Sequence, residues 1–121
     1  MVKALVDTNI LIDYLHNWPD ALEELARYSD LAISSVSWIE VMVGATAATD
    51  ATTRQFLDRF VLIQLDDAVS ERAVLLRRKH RLKLPDAVTW ASAQIAGRLF
   101  VTRDAKDFAA SDPDVRIPYK L

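Results

Sequence analysis

Short apolar runs alternate with segments of helical periodicity along most of this chain, and that alternation narrows the folds it can adopt. The apolar runs lie at residues 2–6, 31–33, 61–65, 99–102 and 115–117, and each has the length of a buried strand. Between the runs, apolar residues recur every three or four positions, as on the buried face of a helix. Strands that alternate with helices predict an α/β fold whose mainly parallel sheet is covered on both sides.

Turn and capping residues indicate where the helices begin and end. The predicted starts lie after Asp7-Thr8-Asn9, after Pro19, near Val36, at Asp66-Asp67 and at Pro85. The third helix is expected to reach Ala47 and to resume, after a break near Asp50, through Phe60. Proline suits the first helical position because its missing N–H is not needed there, and Gly97 suits the end of the last helix.

Composition sets further limits on the class of protein. The chain has 121 residues, a common size for one domain, so we expect one domain over residues 1–121. It contains no cysteine, which excludes disulfides and thiolate metal sites and suits a reducing cytoplasm. We find no signal-peptide pattern and no apolar stretch near the ~20 residues that span a bilayer, so we expect a cytoplasmic protein without a membrane partner. The formal net charge of −2 means that any nucleic-acid role needs a local site.

Four acidic residues fall where the predicted strands end or the following helices begin. They are Asp7 after the first strand, Glu40 in the helix after the second, Asp86 as second residue of the proline-led helix and Asp104 after the fourth strand. Ligands of open α/β sheets bind beyond the carboxyl ends of the strands, so we expect these acids at one edge. Clustered carboxylates repel one another, and a hard cation such as Mg²⁺ relieves that repulsion. Such a site indicates phosphoryl chemistry, with a spare carboxylate to orient an attacking water.

Each of these acids also has a purely structural interpretation. Asp7 and Asp104 suit helix N-caps. Ser37 and Glu40 have the spacing of a capping box, and Asp86 suits the positive end of a helix dipole. Zinc is a weaker candidate than Mg²⁺, because the two histidines do not stand in zinc-binding spacing. The residues alone therefore leave a shared metal site and separate helix caps both open.

Four stretches of the chain resemble motifs of the PIN-domain family, and in particular of its VapC-type toxins. They are residues 5–13 (LVDTNILID), 34–44 (SSVSWIEVMVG), 84–93 (LPDAVTWASA) and 99–108 (LFVTRDAKDF). The four stand in the family's order and run along nearly the whole chain. The resemblance implies a three-layer α/β/α sandwich with a central, mainly parallel sheet, and metal-dependent endonuclease activity on single-stranded or looped RNA.

The resemblance also implies roles for individual residues. The catalytic quartet would be Asp7, Glu40, Asp86 and Asp104. Of these, Asp7, Asp86 and Asp104 would bind Mg²⁺, or Mn²⁺ as the alternative, and Glu40 would act through water as ligand or base. The positions that match supporting polar residues are Thr8, Asn9, Thr102 and Asp107. A capping role for Asp107 before Phe108 is equally compatible with the sequence.

Partners are implied by the resemblance alone. It implies the toxin of a type II toxin–antitoxin pair, with a cognate antitoxin that covers the site, and a homodimer. Antitoxins of such pairs bind operator DNA, so contact of this chain with DNA would be indirect. That arrangement suits a chain whose net charge is slightly negative.

A dense basic run, residues 77–83, directly precedes Pro85 and Asp86. Its cations could bind the phosphates of RNA or an acidic surface of the antitoxin. They could equally be a solvated helix end. The candidate contact residues are Arg77, Arg78, Arg81, Lys83 and Arg103. Trp38 and Trp90, near two of the acids, suit base stacking, an interface or core packing.

Two alternatives stay open at this stage. One is a housekeeping RNA-processing nuclease of the same fold, and the other is a non-catalytic interaction module whose acids serve as caps. A phosphoacceptor or receiver-type domain is disfavoured, because no Asp-x-Asp follows the first strand.

Overall fold

A computed structural model describes residues 2–120, in which each of the first three strands is followed by two helices. In chain order they are β1 (Lys3–Val6), α1 (Thr8–Leu15), α2 (Pro19–Ala26), β2 (Asp30–Ser34), α3 (Ser35–Val43), α4 (Asp50–Leu57), β3 (Val61–Ile63), α5 (Asp67–His80), α6 (Leu84–Ile95), β4 (Leu99–Val101) and β5 (Val115–Arg116). Within residues 2–120, no helix is long and apolar enough to cross a membrane.

The five strands form one parallel sheet in the order β3-β2-β1-β4-β5. The chain builds the sheet outward from β1 to β3 and then returns to the other side of β1 with β4. In the register between these two strands, Val6 pairs with Val101. Such a reversal of strand order creates a crevice at the carboxyl ends of the two strands, which is where α/β proteins bind ligands.

Alternation along the strands divides the core into two halves, one on each face of the sheet. Leu5 and Phe100 face a cluster that includes apolar residues of α5 and α6. Their neighbours Val6 and Val101 face a second cluster, to which α1, α2, α3 and α4 contribute. Successive side chains of a strand point to opposite faces, so a fully buried strand supplies both layers. The predicted three-layer α/β/α sandwich with a parallel sheet is therefore confirmed.

Several local predictions were wrong in detail. The helix near Val36 ends at Val43, and residues 44–49 form turns before α4 begins at Asp50. The break comes early because hydroxyl and amide groups of Thr46 and Thr49 bond to each other and compete with helical bonding. Phe60 lies beyond α4, and β3 stops at Ile63.

Capping also differs from expectation at two helices. The N-cap of α3 is Ser34, whose hydroxyl accepts from the Ser37 N–H, so Ser37 and Glu40 do not form a capping box. Helix α6 begins at Leu84, which makes Pro85 its second residue and Asp86 its third. Gly97 follows the end of α6 with a φ of 65°, the left-handed conformation that a glycine adopts without strain.

Candidate metal centre

The predicted acids lie around the carboxyl ends of β1 and β4, at the reversal in strand order. Asp7 directly follows β1 and is the N-cap of α1. Thr102 directly follows β4, and Asp104 lies two residues beyond it. The N–H of Asp7 donates to the Val101 carbonyl over 2.8 Å, which ties the two strand ends together. Sheet pairing thus brings residues about a hundred positions apart into one site.

The Asp7 side chain is buried, with only 7% of the residue exposed, and its carboxylate accepts three hydrogen bonds. Its Oδ1 accepts from the Thr8 N–H over 2.8 Å, as expected of an N-cap. Its Oδ2 accepts from the Thr102 hydroxyl over 2.8 Å and from the Asn9 amide over 3.4 Å. The helix-cap interpretation of Asp7 is correct, and the same carboxylate also faces its acidic neighbours.

Burial raises the pKa of Asp7 to about 6, because a dry surrounding disfavours the ionised form. Hydrogen bonds from Thr102 and Thr8 oppose this effect, whereas the charges of Asp86 and Glu40 add to it. The carboxyl groups from β1, α3 and α6 are therefore close enough to influence one another.

Asp86, Asp104 and Asp107 form the tightest acidic cluster among the described residues. One carboxylate oxygen from each lies within 4.8 Å of the others. Burial raises the pKa of Asp86, and the charges of Asp104, Asp107 and Glu40 raise it further. No helix follows Asp104, so its interpretation as a helix cap was wrong. Instead its Oδ1 accepts from the N–H groups of Lys106 and Asp107 and closes a turn.

Glu40 reaches the site from α3 through a contact with α1. Its Oε1 accepts from the Thr8 hydroxyl over 2.7 Å, and the side chain is exposed. The Thr8 hydroxyl also lies 2.9 Å from that of Ser37. Behind it, the buried hydroxyls of Ser34 and Thr89 continue a chain with spacings of 3.2 and 3.0 Å. This chain links α1, α3 and α6 beneath the carboxylates.

The donor set fits a hard divalent cation. Three carboxylate oxygens lie within 4.8 Å of one another, and the charges of Asp104 and Asp107 add to the burial that raises the pKa of Asp86. Mg²⁺ and Mn²⁺ prefer oxygen ligands, and either ion would relieve this repulsion. No histidine belongs to the cluster, which suits these ions better than zinc.

Arg103, expected to contact RNA or a partner, has an internal partner. Its guanidinium makes two bonds to Asp13, of 2.6 and 3.3 Å. Asp13 also accepts from the Tyr119 hydroxyl over 2.9 Å. These contacts favour a structural role for Arg103 over a nucleic-acid contact.

The cations of the basic run, residues 77–83, lie in three different environments. Arg77 and Arg78 are exposed and line an apolar groove that also contains Val74 and Leu84. Lys83 precedes α6, and its charge lowers the pKa of Asp86, so this cation does lie beside the acidic site. The backbone of Arg81 ends α5 in a left-handed conformation, and its side chain is exposed.

The two tryptophans near the acids serve the core. Trp90 is 4% exposed, stacks edge-on with Phe108 and donates to Asp114 over 3.3 Å. Trp38 is half-buried, with the Arg54 guanidinium 5.4 Å from its ring centroid. Core packing is thus the correct interpretation for Trp90.

Similarity to known proteins agrees with this architecture. The family profile of the PIN domain matches residues 4–112, and the chain belongs to the PIN-domain family. A chain of a toxin–antitoxin complex from Klebsiella pneumoniae is 41% identical, with a TM-score of 0.93 over 98% of this chain and 100% of that one.

More distant structures share the fold. A chain of DNA-bound VapBC from Salmonella typhimurium is 23% identical, with a TM-score of 0.78 over 96% of each chain. A chain of FitAB bound to the IR36 DNA fragment is 21% identical, with a TM-score of 0.83 over 98% of this chain and 96% of that one. No curated protein sequence matches the chain.

Sequence reasoning overlooked two features of the site. It gave Asp107 only a supporting position, although a spacing of three from Asp104 within one turn is a readable signal for neighbouring carboxylates. It assigned no role to Asp13. In the sequence Asp13 is one more polar residue of the first helix. Its partner Arg103 is 90 positions away, so the ion pair cannot be predicted from local pattern.

Proposed function

We propose that this chain is a metal-dependent endoribonuclease that acts as the toxin of a toxin–antitoxin pair. The observation that carries the nuclease proposal is the convergence of carboxylates from β1, α3, α6 and the loop after β4 at one edge of the sheet. Membership of the PIN-domain family supports it. The 41% identical chain from a toxin–antitoxin complex supports the toxin role. A single nuclease domain over residues 1–121, working in the cytoplasm where RNA is available, completes the proposal.

The proposed metal ligands are Asp86 and Asp104, together with Asp107 and with Asp7 at the back of the site. Mg²⁺ is the proposed ion, with Mn²⁺ as the alternative. The ion supplies Lewis acidity toward phosphate oxygens and charge compensation for the leaving oxygen. The hydrogen bonds from Thr8 and Thr102 keep the Asp7 carboxylate in one orientation.

Glu40 is the proposed general base. Its Oε1 accepts from Thr8, which leaves Oε2 to accept a proton from the attacking water. The oxygen of that water then forms a bond to phosphorus as the bond to the ribose oxygen breaks, and the ribose oxygen leaves as an alkoxide that takes up a proton from solvent. The chain of buried hydroxyls behind Thr8 stiffens the arrangement, because each member is fixed by a neighbour.

RNA would approach the site across Lys83. This cation lies near Asp86 and offers a phosphate contact beside the metal centre. Arg81 is exposed, lies two residues before Lys83 in the sequence and would extend the same rim. Arg77 and Arg78 lie farther back along α5. An antitoxin that covers the site would compete for the same cations, and its own DNA-binding part would make operator contact indirect.

We further propose that two copies associate through α5. Val74 and Leu75 are exposed near the middle of this helix, next to a groove of about 420 Å³. Acidic residues, Asp67 and Glu71, lie toward its N-terminal end, and the basic run lies at its C-terminal end. Antiparallel packing of two copies would place opposite charges together around an apolar centre. The test is the molar mass in solution, where Val74→Glu should convert a dimer into a monomer.

The test of activity is incubation of the pure protein with a panel of structured RNAs in Mg²⁺ or in EDTA. We expect cleavage by the wild type only with Mg²⁺, and none by Asp7→Asn or Asp86→Asn. Asp50→Asn is the matched control, since it removes an exposed acid whose partner is Arg54 on the same helix. This control should cleave as the wild type does.

Two results would redirect the proposal. If no RNA is cut and Mg²⁺ leaves the melting temperature unchanged, the chain is a non-catalytic interaction module whose acids have structural roles. If RNA is cut but expression of the wild type slows growth no more than expression of Asp7→Asn, a housekeeping RNA-processing role replaces the toxin role.

A further inference from the structure

The loop that carries Asp104 and Asp107 is fastened to the fold on both sides of these acids. Before them, Arg103 forms its two bonds to Asp13 on α1. After them, Phe108 is 2% exposed and packs edge-on against Phe100, with ring centroids 5.0 Å apart. The loop between the two anchors therefore has little freedom to carry its carboxylates away from Asp86.

The anchor at Asp13 is a buried charged cluster. Asp13 is 5% exposed, and its Oδ2 accepts both from Arg103 Nε over 2.6 Å and from the Tyr119 hydroxyl over 2.9 Å. A two-bond contact between guanidinium and carboxylate fixes orientation as well as distance. Loss of Arg103 would leave the buried charge of Asp13 without its ion-pair partner, so the ion pair is the main contact of this anchor.

The anchor acts directly on the residues of the acidic site. Arg103 is the neighbour of both Thr102, which donates to Asp7, and Asp104, which belongs to the acidic cluster. Its own N–H donates to Asn9 Oδ1 over 3.3 Å, and the Asn9 amide contacts Asp7. A shift of Arg103 would therefore disturb the acids on both sides of the site.

We propose that Asp13 and Tyr119 are positioning residues of the metal centre, which hold the Asp104 loop in the geometry that binds the ion. This inference rests on the proposed function only in assuming that the centre binds a divalent cation. Neither residue belongs to the acidic cluster. Each acts through Arg103, which links the loop to the rigid helix α1.

The chain contains a matched control for this role. Glu24 on α2 is 4% exposed, accepts two bonds from Arg116 of 2.8 and 2.9 Å, and accepts from the Tyr28 hydroxyl over 2.7 Å. The two clusters have the same chemistry and similar burial. Arg116, however, is not adjacent in sequence to any acid of the site.

The experiment measures Mn²⁺ affinity by calorimetry and the unfolding midpoint in EDTA for the wild type, Asp13→Asn, Tyr119→Phe and Glu24→Gln. We expect Asp13→Asn to weaken Mn²⁺ binding by about 10- to 100-fold, the range found when groups that orient metal ligands are lost. Tyr119→Phe keeps the ion pair and should weaken binding by about fivefold, as loss of one hydrogen bond implies. Glu24→Gln should lower the midpoint and leave Mn²⁺ affinity within about twofold of the wild type. Glu24 fixes the Arg116 side chain, whereas Arg116 meets the site through its backbone carbonyl, which accepts from the Thr102 N–H over 3.1 Å in the pairing of β4 with β5.

Equal Mn²⁺ affinity in Asp13→Asn and Glu24→Gln would overturn the inference and leave the proposed function intact. A wild type that binds no Mn²⁺ would overturn both. If Asp13→Asn does not fold, Tyr119→Phe decides the matter, and unchanged affinity in that variant would count against a positioning role.

Discussion

The Thr8 hydroxyl donates to Glu40 Oε1 over 2.7 Å, although the two residues are 32 positions apart and lie on different helices. This bond restrains Oε1 of an exposed carboxylate whose charge acts on both Asp7 and Asp86. A carboxylate that must accept a proton from water works only when it is held in one orientation. The contact therefore ties Glu40 to α1, the helix whose N-cap is Asp7.

Removal of the Thr8 hydroxyl should slow RNA cleavage without abolishing metal binding. We expect Thr8→Val to lower the cleavage rate by about tenfold, since Glu40 then samples several rotamers. Thr8→Ser retains the hydroxyl and should stay within about threefold of the wild type. The measurement is single-turnover cleavage of a substrate found with the wild type. A loss of Mn²⁺ affinity in Thr8→Val would contradict the assignment of this contact to the base.

Asp7→Asn should stabilise the metal-free protein at neutral and alkaline pH. The folded state raises the pKa of Asp7 from 3.8 to about 6, mainly through burial, so ionisation of this group opposes folding. The resulting cost is complete above pH 6 and disappears below pH 3.8. We expect a gain of up to about 3 kcal/mol in unfolding free energy at pH 8, since each unit of pKa is worth about 1.4 kcal/mol.

Urea unfolding in EDTA at pH 8 and pH 4 would measure this gain. The two proteins should converge as the pH falls. A variant that is less stable than the wild type at pH 8 would show that the hydrogen bonds of the Asp7 carboxylate outweigh its burial. Mg²⁺ should narrow the difference at pH 8, because it stabilises only the protein that retains the ligand.

Metal removal should lower the stability of the wild type by a defined amount. At about 100 times its dissociation constant, Mg²⁺ is expected to add about 2.7 kcal/mol of unfolding free energy. The double variant Asp86→Asn/Asp104→Asn should lose this increment, whereas Asp50→Asn should keep it. Thermal unfolding with Mg²⁺ and with EDTA measures the difference. An increment that survives in the double variant would place the ion elsewhere.

Asp114→Asn should stabilise the protein at neutral pH. Oδ1 of Asp114 is buried and has no hydrogen-bond partner within residues 2–120, while Oδ2 accepts from Trp90 and Gln94. Burial and the neighbouring Asp112 carboxylate raise the pKa of this acid. An asparagine keeps one acceptor and turns the unpartnered oxygen into a donor, which we expect to add about 1 kcal/mol.

The gain should vanish in acid, because a protonated Asp114 supplies a donor of its own. Urea unfolding at pH 7 and pH 4 tests both parts of this expectation. A destabilised variant at pH 7 would mean that the ionised form makes a favourable contact that the amide cannot replace.

The layers of this fold can be predicted from the sequence, because strands and helices are marked by patterns of neighbouring residues. Runs such as Leu99–Thr102 are apolar and bounded by turn residues, and their length alone separates strands from helices. Element boundaries were less accurate where side chains compete with the backbone for hydrogen bonds. The threonine turn that ends α3 early is the clearest case.

The candidate site could be predicted in its residue types but not in its contacts. Acids at strand ends are visible in the sequence, whereas the pairing of Arg103 with Asp13 depends on how β4 docks beside α1. The hydroxyl chain behind Thr8 is equally hidden, because serines and threonines usually serve as caps or surface groups. Long-range partners of this kind follow from the tertiary fold.

The reversal in strand order has a consequence for the timing of activity during synthesis. Asp7 leaves the ribosome early, but the loop that holds Asp104 and Asp107 follows β4, which must first pair with β1. A nascent chain that has not exposed this strand lacks most of its acidic cluster. If the chain is the proposed ribonuclease, a growing chain would therefore lack activity until β4 and the loop after it have left the ribosome.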